Sequence, residues 1–255
     1  MSAAPVLPTS PTLTAEAPPL SQGARILNTF IAPSKTFTDL RRNASWWAPW
    51  ILMSVFSLLF AFAVERQVTF DQITRNEIAR SPKASEQFDK APPAQQEQQL
   101  RISDAIIRYS FYSGPLLILL FNLIISGVLF ATFKVAGAAE LKFKTAYAVV
   151  IYGGLPAIAN AILGTVSLFS GVSPEGFNVN NPVGTNPAYY MDPSTSKFVL
   201  GLASIPDVIS IWTIILIGIG FAVTSKMKKS TAITIVAAWY LFWKLATAAL
   251  AGARG

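Results

Sequence analysis

Five long apolar runs separated by polar gaps dominate the order of residues along the chain. The runs cover residues 46–64, 109–133, 145–169, 198–223 and 231–250. A helix needs ~20 predominantly apolar residues to cross ~30 Å of hydrocarbon, and each run is about that long or longer. The pattern therefore predicts an all-α, polytopic membrane protein whose membrane domain is a bundle of five transmembrane helices.

Lysine and arginine are concentrated in alternate gaps between these runs. The segment before the first run, the gap after the second and the gap after the fourth carry net charges of +2, +2 and +3. Together they account for the formal net charge of the chain, +7. Basic residues are retained on the cytoplasmic side of membrane proteins, so we expect these segments in the cytoplasm. The N-terminus is then cytoplasmic, the C-terminus lies outside, and the predicted location is the cell (inner) membrane.

The three basic segments also predict a basic cytoplasmic face. Each basic residue beside an anionic leaflet contributes about 1 kcal/mol, so such a face favours anionic lipid headgroups or other membrane proteins as partners. Because the excess charge is confined to short loops, we expect no nucleic-acid partner. The candidate residues of this face are Lys35, Arg41, Arg42, Lys134, Lys142, Lys144, Lys226, Lys228 and Lys229.

The N-terminal region divides into two parts. Residues 1–22 are rich in Pro, Ala, Ser and Thr and lack the features of a signal peptide, which predicts a disordered cytoplasmic tail. Residues 25–42 alternate apolar with basic side chains, which is typical of a short amphipathic segment in the headgroup region. A polar lead-in to the first span is the alternative. We expect residues 23–255 to form the membrane domain.

The two outward gaps differ in their composition. The gap 65–108 contains acid–base pairs four residues apart, which favours a solvated helical hairpin. We expect its last helix to run from about Ala94 into the second span, with a kink at Gly114-Pro115. The gap 171–197 is interrupted by proline and glycine and predicts a non-helical loop whose aromatic side chains lie against the bundle. These residues are the pairs Asp71/Arg75, Glu86/Lys90, Glu97/Arg101 and Asp104/Arg108, and in the loop Phe177, Tyr189 and Tyr190.

Two ionisable residues lie inside predicted spans, where burying a charge in hydrocarbon is costly. Asp207 falls early in the fourth run and Lys244 late in the fifth, so both are expected near the outer end of the bundle. We hypothesise that they form an ion pair joining the two helices. The alternative is that each side chain extends separately to the outer interface. A ridge of small residues in the third run favours close helix packing: Gly153, Ala157, Ala161 and Thr165.

The chain contains no cysteine and no histidine. This excludes cysteine nucleophiles, Ser-His-Asp triads and zinc sites built from those ligands. We therefore expect no enzymatic activity, no metal and no cofactor, although a Ser–Lys dyad is not formally ruled out. The second functional hypothesis is a small-solute permease or channel, whose path would be lined by Asn122, Asn160, Asp207 and the bend at Pro156.

Three stretches of the sequence resemble the Yip-domain family of membrane proteins, named for interaction with Ypt/Rab GTPases. They are the lead-in FIAPSKTFTDLRRNASWWAPW, the YGGLPA of the third run, and the block from PDVISIW through IGIGFAVTSKMKKSTAITIVAAWYL. The resemblance covers most of residues 25–250. It implies a five-helix bundle with a cytoplasmic N-terminus.

Eukaryotic members of that family act in vesicle trafficking through Rab-type GTPases and assemble with one another. Their Asp-Leu-Tyr-Gly-Pro stretch corresponds here only to Asp39-Leu40, which Arg41-Arg42 follows, so this chain is more similar to prokaryotic members. The leading hypothesis is a membrane scaffold or organiser that binds partners through its basic face. A homo-oligomer is a candidate assembly.

Overall fold

The computed structural model describes residues 18–254, so residues 1–17 of the predicted tail, which covered residues 1–22, lie outside this range. Over the described residues the chain forms α-helices and one short 3-10 helix at Pro187–Tyr190. In chain order the α-helices are α1 (Gln22–Ile31), α2 (Pro33–Arg42), α3 (Trp47–Gln67), α4 (Phe70–Ala79), α5 (Pro82–Lys90), α6 (Pro93–Tyr112), α7 (Gly114–Val135), α8 (Phe143–Gly153), α9 (Ala157–Phe169), α10 (Lys197–Ala203), α11 (Val208–Ser225) and α12 (Lys229–Arg254).

Five of these segments are long and apolar enough to cross a membrane, which confirms the predicted polytopic all-α class. They are Trp47–Gln67, Gly114–Val135, Phe143–Phe169, Val208–Ser225 and Lys229–Ala253. The fourth is shorter than predicted, because residues 197–203 form the separate helix α10. Pro206 interrupts the chain, and the side chain of Asp207 caps α11 by accepting a hydrogen bond from the Ser210 N–H.

Helix α11 lies at the centre of the bundle and packs against α2, α8 and α12. Around it, α3 packs against α7 and α9, and α7 packs against α8. The rings of Phe133 and Phe221 stack with 4.3 Å between centroids and tie the ends of α7 and α11 together. The main buried cluster is therefore built from both the membrane helices and the segment that precedes them.

The helices α1 and α2 form a hairpin that packs against the bundle. Phe37 and Leu40 of α2 are fully buried in the main cluster, and Phe30 contacts the ring of Trp212 with 5.3 Å between centroids. The amphipathic segment predicted for residues 25–42 is helical, but its inner face rests on α11 and α8. Leu27 and Ile31 remain exposed on its outer face.

Glycine allows the closest helix contacts of the bundle. A methyl group added at Gly220 would lie 2.5 Å from Val149 and 2.9 Å from Phe37, so α2, α8 and α11 meet at this position. The predicted ridge contributes through Gly153, where a methyl group would lie 2.4 Å from Ile217. In α9 the close approach is instead made by Gly164 against Phe60 of α3.

At the other end of the bundle, α4, α5 and α6 form a helical layer where the sequence predicted a helical hairpin. All four expected acid–base pairs are present, at 2.8 Å, 2.5 Å, 3.0 Å and 3.8 Å in chain order. The loop 171–197 rests on this layer through Phe177, which is buried with Val64, Phe70 and Ile73. The prediction was wrong for Tyr189 and Tyr190, which are 40% and 76% exposed. The Tyr190 hydroxyl donates to the Gly184 carbonyl within the loop.

We expect Gly220→Ala to lower the thermal stability of the purified protein by an amount equivalent to about 1–3 kcal/mol, because the added methyl overpacks three helices. The matched control is Gly127→Ala in α7, where nothing lies within 4 Å of an added methyl. There alanine should be neutral or stabilising by up to ~1 kcal/mol, because it favours the helix over glycine. Equal unfolding temperatures for the two variants would contradict this packing.

Candidate functional site

The predicted basic residues lie mainly at one end of the bundle. Lys134 lies in the last turn of α7, and Lys142 and Lys144 lie at the start of α8. Lys226 follows α11 directly, and Lys228 and Lys229 lie at the start of α12. All of them are exposed, as are Arg41 and Arg42 at the end of α2. Lys35 is also exposed, but it lies near the beginning of α2, about 9 Å along the helix axis from Arg41.

An ion pair joins the two loops at this end. The Lys226 ammonium lies 3.1 Å from the Glu140 carboxylate, although the two residues are far apart in sequence. The hydrogen bond and charge of Lys226, with a smaller contribution from Arg41, hold the pKa of Glu140 below its usual value. Both side chains are largely exposed, so this contact orients the loops more than it stabilises the fold.

Two further members of the basic face, besides Lys226, also have partners. Arg42 donates to a carboxylate oxygen of Asp39 at 2.9 Å, and its side chain is only 35% exposed. The Lys134 ammonium donates to the backbone carbonyl of Ala139, which closes the turn between α7 and α8. The charges that extend most freely from this end are therefore those of Arg41, Lys142, Lys144, Lys228 and Lys229.

A buried ion pair lies inside the α1–α2 hairpin. The Nε of Arg25 donates to Asp39 at 2.6 Å, and the two side chains are 2% and 4% exposed. The carbonyl of Arg25 also accepts hydrogen bonds of 2.8 Å from Thr29 and Thr36. The Thr29 bond lies within α1, whereas the Thr36 bond and the ion pair cross from α1 to α2 and fix the two helices against each other.

The same cluster reaches the membrane helices through Tyr152. Its hydroxyl donates to the Gln22 side chain at 2.9 Å, and Gln22 in turn donates to Ser45 at 3.1 Å. Tyr152 is fully buried in α8. One guanidinium nitrogen of Arg25, Nη1, has no hydrogen-bond partner. The cluster therefore links the α1–α2 hairpin, Ser45 in the linker to the first span, and the third span.

Burial alone would raise the pKa of Asp39, but its hydrogen bonds with Arg25 and Arg42 outweigh that cost and hold the pKa below its usual value. Asp39 is therefore ionised at neutral pH. Sequence analysis treated Arg25 as one more basic residue of an amphipathic segment. The sequence did contain a signal for this ion pair. Asp39 is the single acidic residue in the segment 25–42, which contains four basic residues.

The structure gives Asp207 and Lys244 different partners, which corrects the ion pair hypothesised from the sequence. Asp207 is 7% exposed and accepts hydrogen bonds from Thr185 and the backbone of Ser210. Lys244 donates to the hydroxyl of Ser204 at 3.1 Å. Because the fourth span starts after Asp207, this carboxylate serves as the cap of α11 and anchors the loop 171–197 through Thr185.

The contact between Ser204 and Lys244 brings together the residue types of a Ser–Lys dyad. The Ser204 hydroxyl, however, donates to the carbonyl of Gly201 at 2.8 Å and accepts from Lys244. A nucleophilic serine needs the opposite arrangement, with its proton directed to the base. In this geometry Lys244 acts as a hydrogen-bond donor to the end of α10.

No described hydrogen bond joins the polar residues of the permease hypothesis to one another. The amide of Asn122 donates to the Ile118 carbonyl of its own helix, and Asp207 accepts from Thr185 of the loop 171–197. The carbonyl oxygen of Asn160 is buried without a hydrogen-bond partner. Pro156 lies at the break between α8 and α9, as the sequence indicated.

A cleft of about 400 Å³ lies between α4 and the loop 171–197. Arg80 on one side donates to the carbonyls of Gly176 and Phe177 and forms an ion pair of 3.2 Å with Glu77. Glu77 also accepts from Asn180 at 3.2 Å. Arg80 and Glu77 therefore hold the loop in place.

Comparison with known proteins agrees with this architecture. The family model described as the Yip1 domain matches residues 27–250, from the middle of α1 to the last turn of α12. This is most of the chain, and the protein belongs to the Yip1 domain family of membrane proteins. No curated protein and no solved structure gave a significant match.

We expect Asp39→Asn to detach the hairpin, because removing one partner of a buried ion pair costs about 3–5 kcal/mol. The readout is hydrogen exchange of residues 22–42, which should rise strongly while exchange in α12 changes little. Asp71→Asn, which breaks an exposed pair of 2.8 Å with Arg75, is the control and should cost less than ~1 kcal/mol. Unchanged protection of the hairpin in Asp39→Asn would contradict the assignment.

The lowered pKa of Asp39 also predicts a dependence on pH. A carboxyl whose pKa is lower in the folded state stabilises that state above its unfolded pKa of 3.8 and loses the effect as pH falls through the folded value. We expect hairpin protection to be constant at neutral and mildly acidic pH and to decline only below about pH 4. In Asp39→Asn this acid-dependent step should disappear, and its persistence would assign it to another group.

Proposed function

We propose that this protein is a membrane scaffold that binds anionic lipid headgroups through its basic end and organises the surrounding membrane. The observation that carries the proposal is the shared position of the loop charges. The exposed cations at the ends of α7 and α11 and at the beginnings of α8 and α12 lie on one side of the bundle, and the Lys226–Glu140 pair holds their loops together. We place this end in the cytoplasm because the same segments carry the net positive charge.

The location of the cations favours lipid over a soluble acidic protein. They lie at the ends of membrane-crossing helices, which is the depth of the headgroups, and not on a domain that projects away from the bundle. Aromatic residues typical of the interface accompany them: Trp46 packs edge-on against Tyr147, and Trp47 is 51% exposed. A protein partner with an acidic surface is the competing occupant.

The hairpin supports this role structurally. Because Arg42 and Asp39 form an ion pair, the end of α2 is held in place beside the loops, and Arg41 extends from it as an exposed charge. The basic end is therefore built by three separate parts of the chain. Membrane organisation requires no catalytic group. This role is consistent with the Ser204–Lys244 contact, in which the serine hydroxyl donates to a backbone carbonyl and not to the lysine.

We expect the triple variant Lys226→Gln, Lys228→Gln, Lys229→Gln to weaken binding of anionic lipid by on the order of a hundredfold, since each cation contributes about 1 kcal/mol. Native mass spectrometry of the protein in mixed anionic and zwitterionic lipid nanodiscs measures the retained anionic lipids. The control is Lys83→Gln, Lys90→Gln, Arg101→Gln, which removes three exposed charges from α5 and α6 at the opposite end.

The outcomes separate the two classes of partner. Loss of retained anionic lipid in the loop variant alone supports the proposal. Equal retention in the wild type and both variants would overturn it. If lipid retention is unchanged while the loop variant loses a crosslinked acidic protein in intact membranes, the basic end is a protein-binding surface instead.

A further inference from the structure

Helix α6 carries an exposed apolar stripe outside the membrane-crossing segments. Ile102, Ile106 and Tyr109 are 52%, 60% and 74% exposed. In the layer formed by α4, α5 and α6, every large hydrophobic side chain that is exposed belongs to α6. Such a surface is costly in water, and three positions spaced by four and then three residues lie along one line of a helix.

The opposite face of α6 is the one that packs on the rest of the protein. Ile107 and Phe111 join the second buried cluster, and the Phe111 ring contacts Phe70 with 5.4 Å between centroids. Each inward position lies two residues from an outward position, which is 200° around a helix at 3.6 residues per turn. The fold therefore uses one face of α6 and leaves the other without a partner.

The spacing of the outward stripe is that of a coiled-coil seam. It begins at Gln95 and Gln99, passes Ile102, Ile106, Tyr109 and Ser113, and continues along α7 at exposed Leu116, Leu120 and Leu123. The steps alternate between four and three residues throughout, which is the heptad pattern that pairs two helices. The junction preserves the register, since Ser113 N–H donates to Tyr109 and Leu117 N–H donates to Ser113.

The charges of α6 are placed away from this stripe. The positions that flank it are uncharged: Gln96, Gln98, Ser103, Ala105, Ser110 and Tyr112. Glu97 pairs with Arg101 at 3.0 Å, and Arg108 pairs with Glu65 of α3 at 3.0 Å. A helix that lies flat on a membrane surface usually carries lysine or arginine on its polar face beside the apolar one, so the uncharged flanks favour a second helix as the partner.

We propose that α6 pairs in parallel with α6 of a second copy of this chain, so that the protein is a homodimer held outside the hydrocarbon by Ile102, Ile106 and Tyr109. Two copies inserted in the same direction and related by a two-fold axis along the membrane normal present identical stripes to each other. Their flanking glutamines and serines bring no like charges together. This assembly is independent of lipid binding at the opposite end of the bundle.

Single-cysteine crosslinking tests the pairing directly, because the natural chain contains no cysteine. We expect Ile106→Cys in oxidised native membranes to give on the order of tenfold more disulfide-linked dimer than Arg101→Cys, since a disulfide requires Cα atoms within ~7 Å. Arg101 is the matched control because it lies on the same helix, is highly exposed and faces away from the stripe. Equal dimer yields at the two positions would overturn the proposal.

A second variant separates dimerisation from folding. Ile102→Gln with Ile106→Gln removes four apolar side chains from the paired helices and should raise the dimer dissociation constant by on the order of a hundredfold or more. Thermal stability of the monomer should be unchanged, because both side chains are exposed within one copy. Single-molecule counting in detergent and in bilayers gives the copy number.

A wild-type copy number of one in bilayers would also overturn the dimer. In that case an environment-sensitive probe on Ile106→Cys identifies the other occupant. A lipid-like signal from single copies in nanodiscs would assign the stripe to the membrane surface.

Discussion

The buried ion pair between Arg25 and Asp39 is the interaction on which the arrangement of the basic end depends. It joins α1 to α2 across a hairpin, and Arg42 adds a second contact to the same carboxylate. Phe37, on the same helix as Asp39, packs into the space left by Gly220 of α11. The ion pair and the close packing at Gly220 therefore act together to hold the α1–α2 hairpin against the bundle. Without them, only the short linker to the first span would restrain the hairpin.

The two ends of the bundle differ in their charge. At one end, three separate parts of the chain present cations, and the Lys226–Glu140 pair aligns two of the loops. At the other end, ion pairs without net charge, such as Arg80 with Glu77, help to hold the layer of α4, α5 and α6 and the loop 171–197. The proposed lipid binding at one end and the proposed pairing of two copies at the other are compatible, because the two surfaces do not overlap.

The sequence predicted the helical layer of α4, α5 and α6 well, since ion pairs between residues four apart, such as Glu97 and Arg101, depend only on local helix geometry. It predicted the wrong partner for Asp207. A carboxylate that follows Pro206 is placed by the break in the helix, and its bonds to Thr185 come from a loop distant in sequence. Arg25 was misjudged for the same reason, because its partner is fourteen residues away, across a turn.

Hydrophobic length and loop charge, which are properties of the order of residues, determined the class, the number of spans and the predicted orientation. Membrane insertion depends on those properties segment by segment, so no knowledge of contacts is needed. Tertiary structure alone decided that Arg25 is buried while Arg41 is exposed, and that one face of α6 is covered while the other is open. These outcomes depend on which surfaces meet in space, and a residue's identity and local spacing do not specify its distant neighbours.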